Sequence, residues 1–179
     1  MLILGAVRSG KSTLARMICE KHRFSYVPQD ALVSAFSKVF PQCGIRHDQK
    51  DKEALAPFLF AYMKELSRES GHRFVVEGSH VGPRIAAEST DREKWKIVVL
   101  GYPGLTPEQA FAQIRENDAP HDWTSDESDD DLRQMMAVAV EKSRQYRAEC
   151  EELGIEFIDT SSGRRQKLAE FANGWNNTR

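Results

Sequence analysis

The sequence has few cysteines, little charge excess and no long apolar run, and each shortage removes a class of protein. Cys19, Cys43 and Cys150 are the only cysteines in 179 residues. They are odd in number and lack metal-site spacing, so reduced, partly buried thiols of a cytoplasmic protein are expected rather than a disulfide framework. No apolar stretch approaches membrane-spanning length, and a strand expected from residue 2 leaves no room for a secretory leader. With 25 basic and 27 acidic residues the net charge is −2. That balance disfavours a general nucleic-acid surface while allowing a local basic groove. Internal repeats are absent, and the only compositional bias is an acidic stretch from Asn117 to Asp131. What is present, 40% apolar and 29% charged residues, is ordinary for one globular domain with a sheet covered on both faces.

The most informative stretch lies at the start. Gly5-Ala6-Val7-Arg8-Ser9-Gly10-Lys11-Ser12 fits the Walker A pattern G-x-x-x-x-G-K-[ST], and its setting fits as well. Met1-Leu2-Ile3-Leu4 can form a buried strand, and Ser12-Thr13-Leu14-Ala15-Arg16-Met17-Ile18 opens a helix with Leu14, Met17 and Ile18 at helical spacing. Gly5 and Gly10 permit a loop whose amides wrap around phosphate oxygens, while the helix N-terminus adds its dipole. In this pattern Lys11 reaches the β- and γ-phosphates and the Ser12 hydroxyl binds Mg²⁺. The expected ligand is a nucleoside triphosphate, held by residues 5 to 13.

Further along, apolar runs alternate with helical patterns. Strands are expected at Phe24–Val27, ended by Pro28, then at Arg73–Gly78, Lys96–Tyr102 and Ile155–Asp159. Helices are expected over residues 11–21, from Asp30 to Phe36, and from Pro57 to a cap at Gly71. Others should occupy Pro83–Glu88, a stretch opened by the capping box Thr106-Pro107-Glu108-Gln109 and reaching about Glu116, a stretch from Leu132 to near Gly154, and Lys167–Trp175. Ile45 to Lys52 reads as a polar loop, and Asn117 to Asp131 as an exposed acidic flap in which Trp123 should pack on something. This alternation predicts a doubly wound α/β domain with five parallel strands.

Ligands in such sheets sit beyond the carboxyl ends of the strands, which singles out the residues just after each one. Asp30 follows the second strand. It is either a helix-capping carboxylate or a group that orients a substrate hydroxyl and takes its proton. Glu77 ends the third strand before Gly78, where a carboxylate can hold Mg²⁺ directly or through water, or contact substrate. Arg84 follows in position to reach a substrate anion, and Arg115 stands at the hinge of the flap, where it could stabilise charge on a transferring phosphate. His47, His72, His80 and His121 show no ligand spacing and read as surface or hydrogen-bonded side chains.

The phosphate loop, Asp30, the pair Glu77-Gly78, the lid opened by Arg115 and the strand ending at Asp159-Thr160-Ser161 together resemble the small P-loop kinases related to nucleoside monophosphate, shikimate and gluconate kinases. The resemblance implies a three-layer P-loop NTPase fold with strand order 2-3-1-4-5. It also implies an acceptor-binding segment over about 30–72, a lid over about 116–131, and ATP with Mg²⁺. Adenylate kinases carry Asp-Gly-Phe-Pro-Arg after the third strand, whereas this chain has Glu77-Gly78-Ser79-His80-Val81-Gly82-Pro83-Arg84. A nucleoside monophosphate acceptor is therefore not implied, and the stretch looks somewhat more like that of 2-phosphoglycerate kinases. The leading expectation is transfer of the γ-phosphate to a small molecule. The alternatives are a regulatory ATPase without acceptor, or a toxin-like kinase of a nucleotide sugar or RNA. The guanine-reading Asn-Lys-x-Asp and the transporter Leu-Ser-Gly-Gly-Gln are both absent.

Overall fold

A computed structural model describes residues 1–47, 52–68, 72–118 and 122–175. Five parallel strands form one sheet in the order β2-β3-β1-β4-β5, as expected. They are β1 (Leu2–Gly5), β2 (Ser25–Pro28), β3 (Phe74–Gly78), β4 (Ile97–Gly101) and β5 (Glu156–Asp159). The helices are α1 (Lys11–His22), α2 (Gln29–Val39), α3 (Ala56–Leu66), α4 (Pro83–Ser89), α5 (Pro107–Asn117), α6 (Asp129–Leu153) and α7 (Arg164–Gly174).

The strand sequences explain the layering. β1 is buried along its whole length, and successive side chains point to opposite faces. Ile3 packs with Leu14, Ile18, Val98, Leu168 and Ala172, in the layer built by α1 and α7. Leu2 and Leu4 pack on the other face with Val33, Leu59, Met63, Val99 and Tyr146. A third cluster joins Ala6 and Tyr102 to Ile114, Leu132 and Met136, so the phosphate loop rests on the α5–α6 pair. Both faces are covered, which accounts for the near-continuous apolar runs of β1 and β4.

Local signals set most boundaries. The capping box of α5 is fully formed: the Thr106 hydroxyl accepts from the Gln109 amide at 3.2 Å, and the Gln109 side chain accepts from the Thr106 amide at 2.9 Å. Pro57 lies in the first turn of α3 as expected, while the cap expected at Gly71 falls outside the described residues. Two helices start a turn earlier than their apolar pattern suggests. α7 begins at Arg164, after Gly163 in the left-handed region. α6 begins at Asp129, because the Ser128 hydroxyl accepts from the Asp131 amide and three aspartates suit the positive end of the helix dipole. The acidic flap is shorter by those residues. Ile45, expected in a polar loop, is buried in the core instead.

The three cysteines form no disulfide. Burial pushes the Cys150 thiol up to about 12, with Glu149 and Glu151 adding to the shift. The folded-state value lies above the unfolded one. Its stabilising contribution is therefore complete below the ordinary thiol value of 9.0 and is lost as pH rises towards 12. At pH 8 an alkylating reagent should modify exposed Cys43 readily and leave Cys150 untouched until denaturant is added, which mass mapping of the labelled peptides will show.

Candidate active site

The loop from Gly5 to Ser12 joins β1 to α1 at the carboxyl edge of the sheet. Gly5 has φ 146°, and a Cβ there would run into the Leu100 carbonyl, so only glycine lets β1 leave the sheet at this point. Gly10, at φ 98°, precedes α1 and offers no side chain to its first amides. Those amides stay available to an external anion. The ammonium of Lys11 donates to the Ala6 carbonyl at 2.8 Å, curling back across its own loop. Ser9 is fully buried, and its hydroxyl has no hydrogen-bond partner. The Tyr102 hydroxyl donates to the Val7 carbonyl at 2.7 Å and ties the loop to the α6 side of the domain.

Glu77 meets the loop through sheet register. It pairs with Ile3 of β1 on one side and with Pro28 of β2 on the other. The residue is 6% exposed. One oxygen, Oε2, accepts from the Ser12 hydroxyl at 3.3 Å and from the Tyr26 hydroxyl at 2.8 Å. The two residues expected to share a cation thus stand together, and Tyr26 joins them. Burial, then the bond to Glu77, push the Tyr26 phenol upward, so it acts as a donor throughout the ordinary pH range.

Asp30 lies in the first turn of α2 but makes no cap: Pro28 holds the N-cap position, and no side chain caps the helix. Its Oδ1 instead accepts from His80 Nε2 at 2.9 Å. An ionised carboxylate only accepts, so Nε2 carries the proton. This bond, the largest cause, lowers the Asp30 pKa, and the fields of His80, His47 and Lys11 lower it further. Asp30 follows β2 at the carboxyl edge of the sheet, the edge from which the β1–α1 loop also rises. His80 is 4% exposed, and its backbone amide donates to the buried Gln29 side chain at 3.2 Å. Gly78 is needed here, since a Cβ would overlap the Gln29 side chain.

The arginines are paired within the protein. Arg115 is committed within the flap, donating to the Thr124 carbonyl at 2.8 Å, the Glu127 carbonyl at 2.7 Å and Asp129 at 2.8 Å. It staples the flap to α6, and contact with a phosphate would require releasing those bonds. Arg84, expected to reach a substrate anion, is engaged with another element. It forms an exposed two-pronged pair with Glu152, at 2.6 and 3.2 Å, because α4 packs against α6 and turns this side chain towards the acidic end of that helix. Arg8 is the cation that links loop and flap. It sits at φ 58° and pairs with Asp118 and Asp122, each at 2.9 Å. Trp123, expected to pack, is 49% exposed, while its neighbour Thr124 is buried. A cavity of about 610 Å³ opens at the amino edge of the sheet beside Met1, Phe24, Phe74 and Trp175, away from this chemistry.

Five parallel strands in this order, with a glycine-bounded loop between β1 and α1, define a three-layer α/β domain of the P-loop type. Its fold is that of the small P-loop kinases. A shikimate kinase from Bacteroides thetaiotaomicron aligns over 96% of both chains with a TM-score of 0.56 at 14% identity. A shikimate kinase from Acinetobacter baumannii, solved with shikimate, aligns over 96% of this chain and 87% of its own with a TM-score of 0.56 at 13% identity. A gluconokinase from Sinorhizobium meliloti aligns over 96% and 92% with a TM-score of 0.56 at 18% identity. No protein-family model and no curated protein matches the sequence. Among the described residues no helix is long and apolar enough to cross a membrane.

Replacing Gly78 with alanine should displace the Gln29 side chain and with it the acceptor of the His80 amide. The expected loss is about 1–3 kcal/mol of stability, as for other overpacked core sites, measured as a shift of the urea midpoint at unchanged slope.

Proposed function

We propose that the chain is an ATP-dependent phosphotransferase acting on a small hydroxyl- or phosphate-bearing acceptor. The observation that carries the reading is the position of Asp30. It is free of any capping duty, held by His80, and ionised within the field of the phosphate-loop lysine. Similarity in fold to kinases of small hydroxyl-bearing molecules supports the same reaction class.

The residues present fit a nucleotide and Mg²⁺. The buried Ser9 hydroxyl has no partner within the protein, which suits a phosphate oxygen, and the first amides of α1 are uncapped. Residues 5 to 13 would hold the phosphates. Lys11 would exchange its bond to the Ala6 carbonyl for phosphate oxygens, and Ser12 with Glu77 would hold the metal. When bound, Mg²⁺ supplies charge neutralisation at the phosphates. Tyr26 keeps the Glu77 carboxylate aimed at Ser12 through its hydrogen bond. Asp30 orients the acceptor hydroxyl and collects its proton late, since phosphoryl transfer passes through a loose transition state. The acceptor would lie against the segment from about 30 to 72, and residues 116–131 would close over the nucleotide. Arg115 would hold that lid in shape, and its part in stabilising the phosphate would follow only from a rearranged lid.

Transfer from labelled ATP to a panel of hydroxylated metabolites tests the proposal directly. Hydrolysis without transfer across a broad panel would favour a regulatory ATPase. Lys11→Ala should fold normally and lose most turnover; equal melting with wild-type turnover would remove the loop from the mechanism. Asp30→Asn keeps the shape and the acceptor for His80. Single-turnover transfer should fall by roughly a hundredfold to ten-thousandfold, with ATP affinity changed no more than a few fold. Unchanged transfer would leave Glu77 as the remaining base.

A further inference from the structure

Asp30, His47 and His80 come together from α2, from the segment after Cys43 and from the turn after β3. Each offers one ligand atom, and these atoms lie within 4.8 Å of one another. Seventeen and thirty-three residues separate them in sequence, so no spacing pattern announces the cluster. The two imidazole rings are 5.5 Å apart between centroids. His47 Nε2 lies 3.0 Å from the Ser34 hydroxyl, and His80 is buried with its Nδ1 lacking any partner.

We infer that these three side chains form a site for a divalent transition metal of the zinc class, separate from the Mg²⁺ position at Ser12 and Glu77. Two imidazoles and a carboxylate suit zinc, cobalt or nickel, whereas Mg²⁺ prefers oxygen ligands throughout. Adjacent ligands on tetrahedral zinc stand roughly 3.3 Å apart. Asp30 Oδ1 and His80 Nε2, at 2.9 Å, already approach that spacing. His47 is exposed and on a turn, so it can draw in by the remaining distance. On binding, the metal replaces the proton shared between Asp30 and His80, and that proton moves to Nδ1 of His80. The Ser34 hydroxyl accepts from Nε2–H of His47 and leaves Nδ1 as the donor to metal, the usual way an outer partner fixes a ligand tautomer. Three protein ligands leave a fourth position for water or an acceptor oxygen. If Asp30 is the base proposed above, a metal here withdraws it from proton transfer, so zinc should inhibit the enzyme without weakening ATP binding.

Cobalt or zinc binding to the nucleotide-free full chain tests the site without reference to activity. Calorimetry and the visible absorption of tetrahedral cobalt should report one equivalent per chain. His47→Ala, a surface change that leaves the core intact, should lower affinity by at least about tenfold, and Ser34→Ala by about ten- to a hundredfold. Glu77→Gln should bind as wild type does. No cobalt binding, or equal binding by wild type and His47→Ala, overturns the site. Zinc inhibition of labelled transfer that disappears in His47→Ala supports both the site and the role of Asp30. Binding as described with unaltered transfer keeps the site and overturns Asp30 as the base.

Discussion

Everything at the carboxyl edge depends on the close approach of Gly5 to the Leu100 carbonyl, where β1 leaves its place between β3 and β4. A side chain at that point would push the strand off its neighbour and carry the whole loop with it. The same central position lets β1 deliver Ser12 on one helix and face Glu77 through in-register pairing with β3. The site is therefore assembled by the core, and its precision comes from the full burial of β1. Residues 2 to 4 have no solvent exposure, which leaves the strand no room to slip.

Glu77 illustrates what this rigidity permits. A carboxylate removed from water is costly unless hydrogen bonds or a cation offset the loss. Here two neutral hydroxyls, Ser12 and Tyr26, share one of its oxygens. Neither brings a formal positive charge, so neutral hydrogen bonds alone offset the burial of this oxygen. Asp30 is handled in the opposite way. It is largely exposed and gains its orientation from a single buried histidine. One carboxylate is thus fixed by burial, and the other is held from below while open to solvent.

Sequence reading reached the strands because their apolar runs are unbroken, and reached α5 because Thr106 and Gln109 can cap only one way. It read the loop from its glycine and lysine pattern, and it singled out Glu77 and Asp30 from chain order, since ligands gather where parallel strands end. Strand order came from resemblance; periodicity carries no information about which strands are neighbours. Tyr26, Gln29 and His80 were missed as partners. Tyr26 reads as an ordinary strand residue, and His80 meets Asp30 across fifty positions by way of the sheet. The acidic flap misled for a physical reason: aspartates at 129 to 131 look solvated in sequence yet are favoured at a helix start. Arg84 and Arg115 were placed correctly along the chain, but acids on α6 and carbonyls within the flap claim their guanidinium groups.

The bridge from Arg8 to Asp118 and Asp122 makes the phosphate loop its own counterion store. Two carboxylates already neutralise a guanidinium rooted in the loop, so an arriving phosphate meets a site whose charge is partly spoken for. On the reading of the loop as a nucleotide site, binding becomes an exchange of anions. An incoming phosphate would compete with Asp118 and Asp122 for the Arg8 guanidinium. Such an exchange leaves the charge on Arg8 balanced before and after. It ties the chemistry of the loop to Asp118 and Asp122 through electrostatics.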